Sequence, residues 1–419
     1  MRSFGRVRAF AVAMAAVLAA LACGGSSSTS NSASNSGPPL KIGVINPYSG
    51  AVSIYGEELY RGNSIAVDEI NAKGGINGRK IELVKGDAAS PDQGIQEATR
   101  LATQQNVDAF TGTYLSAVSK TASETAARYK KLYWDTNSVA SELTERGLSN
   151  FVRSGPYATS FASVSVDTVT GLITKQIGKP AAQTKVWLEH EDSIYGTSIA
   201  DLQKTSLTSK GYQVVGNSGH PASSTDLTDS VLRAQKAAPD IVVFTGYVPD
   251  VNLFLRTARD HNFSAALLTV GTGDTNETLQ ALGPQGVEGM LVVGYPRPDI
   301  NPSFGPGAQQ YLEAYRKKFN AEPVAPQGMS AYVGMKMLAD AIGKAGGTDS
   351  AKVKKAIQGI DKPVGSFANG FGEKFDDKYQ NVRAFPLAIQ WQSGKQVTVF
   401  PEKAAQPNTK VVPLKRSGA

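Results

Sequence analysis

A single cysteine, Cys23, stands in 419 residues, so no disulfide can form within the chain and stability has to come from packing. Histidine is nearly as scarce. His190, His220 and His261 are the only three, and none lies three or four residues from another potential ligand, which argues against a histidine-based metal site. Nucleophile and phosphate motifs are missing too: there is no G-x-S-x-G elbow and no G-K-[S/T] loop. Basic residues never cluster five together or interleave with aromatics, so no nucleic-acid partner is expected. No cofactor is implied. Charged residues make up 19% of the chain against 41% hydrophobic, a balance that excludes wholesale disorder and, at this length, supports two well-buried α/β domains.

The opening segment MRSFGRVRAFAVAMAAVLAALACGG places Arg2, Arg6 and Arg8 before an apolar run from Ala9 to Ala22. That run is too short and too rich in small residues to remain as a membrane-spanning helix, and residues 1–22 read as a secretory signal peptide. It ends in Leu-Ala-Ala-Leu-Ala-Cys, which resembles the lipobox of bacterial lipoproteins, whose cysteine is acylated and becomes the mature N-terminus. Acylation of Cys23 would exceed the two apolar signals that stable anchoring needs. The alternative is a cleaved soluble export signal with an incidental cysteine. Residues 23–39 are then a lipidated cysteine and a flexible Ser/Asn/Gly spacer. Without the three leader arginines the formal charge falls from +7 to +4.

From Pro39 onward, short β-branched runs alternate with amphipathic stretches. Strands are expected over 40–45, 80–85, 108–112, 132–136, 185–190, 212–216, 240–245, 266–270 and 290–294. Helices are expected over 55–73, 92–105, 117–130, 159–177, 195–210, 226–237, 250–261, 304–319, 329–345 and 351–358. The repeat is close to a βαβ unit in length, and so many units exceed one doubly wound sheet. The fold class is therefore α/β, with two doubly wound parallel-sheet lobes joined by three crossings near 152–156, 294–296 and 362–366. The lobes are expected to comprise 40–153 plus 295–362, and 154–294 plus 363–419. RAFPLAIQW and KQVTVF read as a closing hairpin, and residues from Ala404 onward as loosely ordered.

Ligands of open α/β sheets bind beyond the carboxyl ends of strands, so the strand-to-helix turns carry the information. The first, Asn46-Pro-Tyr-Ser-Gly-Ala-Val-Ser-Ile-Tyr55-Gly56, offers an aromatic that either walls a pocket or packs locally. It is not the G-x-G-x-x-G loop of a Rossmann-type enzyme. The third contains Ser116 at a helix N-cap, where it either simply caps or joins free amides as a carboxylate receptor. The fourth, Trp134-Asp-Thr-Asn137-Ser138-Val139, exposes backbone amides. Asp135 there lacks a nucleophile or metal partner nearby. Tyr195 and Tyr247 occupy comparable turns further on. His190-Glu191-Asp192 cannot converge on one point from an extended segment, and reads as a polar rim.

The run KIGVINPYSGAVSIYGEELYRGNSIAVDEINAKGGINGRKIELV, above all its A-x-D-E-I-N-A-K-G-G-I-N-G-x-x-I portion, resembles the start of the periplasmic leucine/isoleucine/valine-binding proteins. SELTERG, EDSIYGTS, FTGYVPD and GVEGMLVV follow in family order, so the resemblance covers 39–395. It implies a type I periplasmic-binding fold and a non-enzymatic, extracytoplasmic component of an ABC importer. Such a component takes a small carboxylate ligand, a hydrophobic amino acid or a related oxo or aromatic acid, and delivers it to a permease and ATPase complex. A monomer held to the membrane by its lipid anchor is implied; a sensor for a membrane receptor is the alternative.

By family position, Ser116 and the segment Asn137, Ser138 and Val139 hold the carboxylate, while Tyr55, Tyr195 and Tyr247 are the cleft aromatics. Two departures stand out. Amino-acid binders have threonine where Val139 stands, and an ammonium-binding glutamate where the turn Val270-Gly-Thr272-Gly-Asp274 places Thr272. Unless Asp274 replaces that anion, the ligand lacks an amino group. The disulfide of some members is also absent, with Ser90 and Leu115 near its positions.

Overall fold

The computed structural model describes Gly37–Arg416. The expected signal peptide, residues 1–22, and the expected lipidation site Cys23 lie outside the described residues. The first half alternates β1 (Leu40–Asn46), α1 (Ser53–Ala72), β2 (Ile81–Asp87), α2 (Pro91–Thr103), β3 (Ala109–Gly112), α3 (Ser116–Arg128), β4 (Leu132–Asp135), α4 (Glu142–Glu145) and β5 (Phe151–Arg153). There follow α5 (Ala158–Thr168), α6 (Thr174–Ile177), β6 (Lys185–Glu191), α7 (Ile194–Ser209), β7 (Gln213–His220), α8 (Thr228–Ala237), β8 (Ile241–Thr245), α9 (Val248–Asp260), β9 (Ala266–Val270), α10 (Asn276–Val287) and β10 (Leu291–Gly294). Three helices, α11 (Ala308–Phe319), α12 (Gln327–Ala345) and α13 (Ser350–Ile357), then precede the hairpin β11 (Leu387–Gln392) and β12 (Lys395–Phe400).

Two sheets result. The first runs β2-β1-β3-β4-β5, wholly parallel, and the second runs β12-β11-β10-β9-β8-β6-β7, parallel except for its terminal hairpin. The strands β3, β4, β8 and β9 are buried at every position, as parallel strands covered by helices on both faces must be. In both sheets the strand order reverses between neighbouring strands, β1 and β3 in one and β6 and β8 in the other. A switch point of that kind opens a crevice at the strand carboxyl ends, and both crevices carry tyrosines.

The helices over one face of the first sheet pack without clearance. A Cβ at Gly62 on α1 would lie 1.8 Å from the Gly328 carbonyl oxygen on α12, so only glycine permits this approach. Core clusters lie on both faces of each sheet, and a smaller one joins Tyr55, Tyr114 and Ala331 to Val248 and Tyr247 across the two lobes.

Three details differ from the sequence expectation. The second lobe does not begin again at residue 363, because Phe367, Ala368, Phe375, Tyr379 and Phe385 pack on the core of the first lobe. Arg153 donates its amide to the Tyr379 carbonyl (3.0 Å) and accepts from the Asn381 amide (2.8 Å), so residues 379–381 extend the first sheet beside β5. The third crossing accordingly lies between Ala384 and Leu387. The stretch beyond Ala404 is tied down rather than loose: the Lys415 amide donates to Gly289 (3.1 Å), its carbonyl accepts from Leu267 (3.2 Å), and Val412 and Leu414 bond to Gln390 and Gln176. Finally, α4 and α10 were not expected. The first is a single turn, and the second is interrupted at Gly283 and Pro284, so neither carries an uninterrupted helical period.

Candidate functional site

Five tyrosines meet where the two lobes face each other. Tyr55 on α1 stacks on Tyr114 in the turn after β3, with ring centroids 4.5 Å apart. Tyr114 lies 5.9 Å from Tyr247, which in turn lies 5.3 Å from Tyr195 on α7. Tyr295, directly after β10, donates its hydroxyl to the Asn137 carbonyl at 2.6 Å. Burial raises the pKa of Tyr55, Tyr114, Tyr195 and Tyr247 far above the usual phenol value, so each presents a neutral hydroxyl. Tyr114, Tyr195, Tyr247 and Tyr295, with Asn137, Val139 and Phe161, line a cavity of about 20 Å³, room for little more than one water.

Local backbone geometry places these rings. Tyr195 sits on the first turn of α7, where Ser193 accepts its amide at 3.3 Å. Its hydroxyl donates to the Val270 carbonyl at 3.1 Å. Gly271 makes room for it, since a Cβ there would come within 2.0 Å of that hydroxyl. Tyr247 caps α9, and its amide donates to Asp250 Oδ1 at 2.6 Å. Tyr114 and Tyr295 were not among the residues picked out from the sequence. Tyr114 lay in the turn singled out for Ser116, but neither residue had a periodic or spacing signal of its own.

The turn from Asn137 to Ala140 corrects the expectation of exposed amides. The amides of Asn137 and Ser138 donate to Asp135 Oδ1 at 3.1 and 2.8 Å, and those of Val139 and Ala140 to Ser116 Oγ at 3.2 Å each. Its carbonyls are also taken: by Tyr295 at Asn137, by Arg153 at Ser138 (3.1 Å) and Ala140 (2.8 Å), and by the Ala158 amide at Val139. Asp135, with no evident partner in the sequence, is thus the internal anion of this turn, also bonded to Ser119. Burial pushes its carboxyl up to about 6 against the pull of these hydrogen bonds and of Arg153. Ser116 opens α3 rather than capping it; Leu115 is the cap.

Unspent hydrogen-bonding capacity concentrates nearby. Both side-chain atoms of Asn137, the Thr272 hydroxyl and Asp274 Oδ2 are buried without a partner, an arrangement that costs free energy until something bonds to them. Asp274 is fully buried, and its Oδ1 accepts a long bond from the Tyr55 hydroxyl, at 3.4 Å, which joins the two lobes. Burial raises its pKa, opposed by the charge of Arg297. Aromatic walls with an unpartnered carboxylate, amide and hydroxyl can hold a small molecule that is apolar in its middle and polar at its ends.

The His190-Glu191-Asp192 segment is not wholly a rim. Glu191 is buried and accepts from the Ser193 and Gly196 amides at 2.9 and 2.6 Å, capping α7. A buried triad close by went unrecognised in the sequence, because its members come from three separate elements. His220 Nδ1 meets Glu189 Oε1 at 2.9 Å and Nε2 meets Asp250 Oδ2 at 3.1 Å. Among the described residues, no group of three or more His, Cys, Asp or Glu side chains is placed to hold a metal ion, and no helix is long and apolar enough to cross a membrane.

The chain is similar to known proteins in both sequence and structure. Residues 39–395 match the family described as periplasmic binding protein. The chain is 38% identical over 368 residues to Leu/Ile/Val-binding protein homolog 7 of Brucella suis biovar 1 (strain 1330), covering 87% of this chain and 92% of that one. It is 36% identical to homolog 8 of Brucella abortus (strain 2308), covering 87% and 91%. Among solved structures, the branched-chain amino acid substrate-binding protein LivJ of Streptococcus pneumoniae in complex with isoleucine superposes with a TM-score of 0.72 at 22% identity, covering 85% of this chain and 97% of that one. A solute-binding protein of R. palustris in complex with benzoate gives the same TM-score, 0.72, at 17% identity, covering 89% and 99%. These structural likenesses establish the type I periplasmic-binding fold. With a family match across nearly all the described residues and relatives more than one-third identical over most of their length, the chain belongs to the periplasmic binding protein family.

Proposed function

We propose that this protein binds a small hydrophobic amino acid, of the branched-chain kind, in the cleft between its lobes and hands it to the permease of an ABC importer, held at the outer face of the membrane by acylated Cys23. The observation that carries the ligand class is Asp274, a buried carboxylate with one oxygen unpartnered beside the aromatic cluster. An ammonium group supplies the donors that this oxygen lacks and adds to the positive charge of Arg297. In this reading the solute carboxylate takes the place of Ser116 Oγ as acceptor for the Val139 amide, and the Ser116 hydroxyl turns to donate. Asn137 and Thr272 add bonds to the polar ends, and Tyr55, Tyr195 and Tyr247 cover the apolar part. The small cavity means that the rings move or the lobes part on entry. Only a solute touching both lobes favours the closed form. The names of the Brucella relatives and the isoleucine complex of LivJ support this class.

The test is calorimetry with L-leucine, L-isoleucine, 4-methyl-2-oxopentanoate and benzoate. The wild type is expected to bind the amino acids in the micromolar range, about −8 kcal/mol, and more tightly than the oxo acid. Asp274→Asn should erase that preference, and Ser116→Ala should weaken all four about tenfold without unfolding the protein. A wild type that prefers the oxo acid or benzoate refutes the amino-acid assignment.

A further inference from the structure

We propose that His220 is a positioning residue for the solute site: bridging Glu189 and Asp250, it fixes the carboxylate that holds the Tyr247 amide, and so sets where the Tyr247 ring lies in the cleft. The bonds form one chain from the core to the cleft. The Trp187 indole N–H donates to Glu189 Oε2 at 2.9 Å, which fixes Glu189 from behind. Glu189 Oε1 faces His220 Nδ1, His220 Nε2 faces Asp250 Oδ2, and Asp250 Oδ1 accepts the Tyr247 amide at 2.6 Å and the Val251 amide at 3.1 Å. Tyr247 then touches Tyr195 and Tyr114.

An ionised carboxylate can only accept. Both ring nitrogens of His220 face carboxylate oxygens, so the arrangement is satisfied when the ring carries two protons. Burial alone would lower the His220 pKa, but the hydrogen bonds and charges of Asp250 and Glu189 outweigh it and push the ring up to about 9. The charged groups facing it are Glu189 on β6 and Asp250 on α9. Arg233 on α8 bonds instead to Ser218 and Ser230, and from β8 the contact is the Phe244 ring at 5.4 Å. All three members of the triad are buried, so loss of the central proton leaves two carboxylates facing a ring with one donor, and the Asp250 carboxylate loses its anchor.

The inference rests on the reading that Tyr247 touches the solute, and its test separates the two. In protein labelled with 15N-tyrosine and free of added solute, with the Tyr247 amide assigned by its loss in Tyr247→Phe, that signal should lie downfield at pH 7 and move upfield as pH rises through about 9. In His220→Gln it should be displaced already at pH 7 and no longer titrate. L-leucine affinity should fall roughly tenfold in His220→Gln, and the same change made in a Tyr247→Ala background should cost almost nothing more, because the effect passes through that side chain. The wild-type titration needs no variant to fold. A Tyr247 amide that ignores pH in the wild type overturns the proposal whether or not L-leucine binds. A titrating amide in a protein that binds no L-leucine supports the positioning role and counts against the functional reading instead.

Discussion

His220 and its two carboxylates make stability depend on pH in a direction that can be worked out. The folded-state pKa of about 9 stands above the ordinary 6.5, so protonation favours the folded chain. That contribution is complete below pH 6.5, declines between 6.5 and 9, and is gone above. It amounts to an order of 3 kcal/mol. The urea midpoint should therefore fall as pH is raised from 6.5 to 9.5, and the fall should flatten in His220→Gln; equal slopes in the two proteins would show that the triad contributes nothing. At this scale the sequence was informative about which turns matter and poor about what each side chain does there. The rings of Tyr55, Tyr195 and Tyr247 are linked into one cluster through Tyr114. The role of Asp135, which takes the very amides expected to be exposed, was invisible, because a carboxylate two or three residues from its donors has the same sequence signature whether it points inward or out.

Among the elements, α1 and α12 show most clearly how composition sets geometry. Their closest approach is at Gly62 and Gly328, where backbone rather than side chains forms the contact. Gly62→Ala would push a methyl into the Gly328 carbonyl, and overpacking of this kind costs about 1–3 kcal/mol or more. A lowered denaturation midpoint with L-leucine affinity retained is expected, and an unchanged midpoint would mean that α1 shifts freely. The alternation of strand and helix was readable because the parallel strands are short, the central ones are buried on both faces, and each is separated from the next by a full crossover. The hairpin β11–β12 was readable from its alternating residues. The parts without a sequence signal lack a period: the one-turn α4, the broken α10, and the strap after Ala404, which is held by scattered backbone bonds, by the Gln406 and Arg416 side chains and by packing of Val411 and Leu414.

In the whole molecule, Arg153 ties the candidate site to the connections between the lobes. Fully buried at the end of β5, it reaches the Ser138 and Ala140 carbonyls on one side and Gln380 on the other. Burial lowers its pKa to about 10, so it remains charged at neutral pH opposite Asp135. Arg153→Met should cost about 3 kcal/mol by stranding that anion, and should weaken L-leucine binding as well, because the turn that presents Val139 loses its support. Destabilisation without any change in affinity would separate the two roles. The two-lobed plan was legible from the number of βαβ units, whereas the third crossing was not, since Phe367, Phe375 and Phe385 look like core residues of either lobe until the chain is folded.

The bonds that attach Ser154, Gly155 and residues 379–381 to β4 and β5 mean that these residues travel as part of one jaw. Beyond these bonds the first and third straps carry Pro156 and Pro386, and the second carries Pro296 and Pro298. Each of these prolines holds its own φ at about −65°, so every strap has at least one backbone torsion fewer to turn when the jaws part to admit a solute.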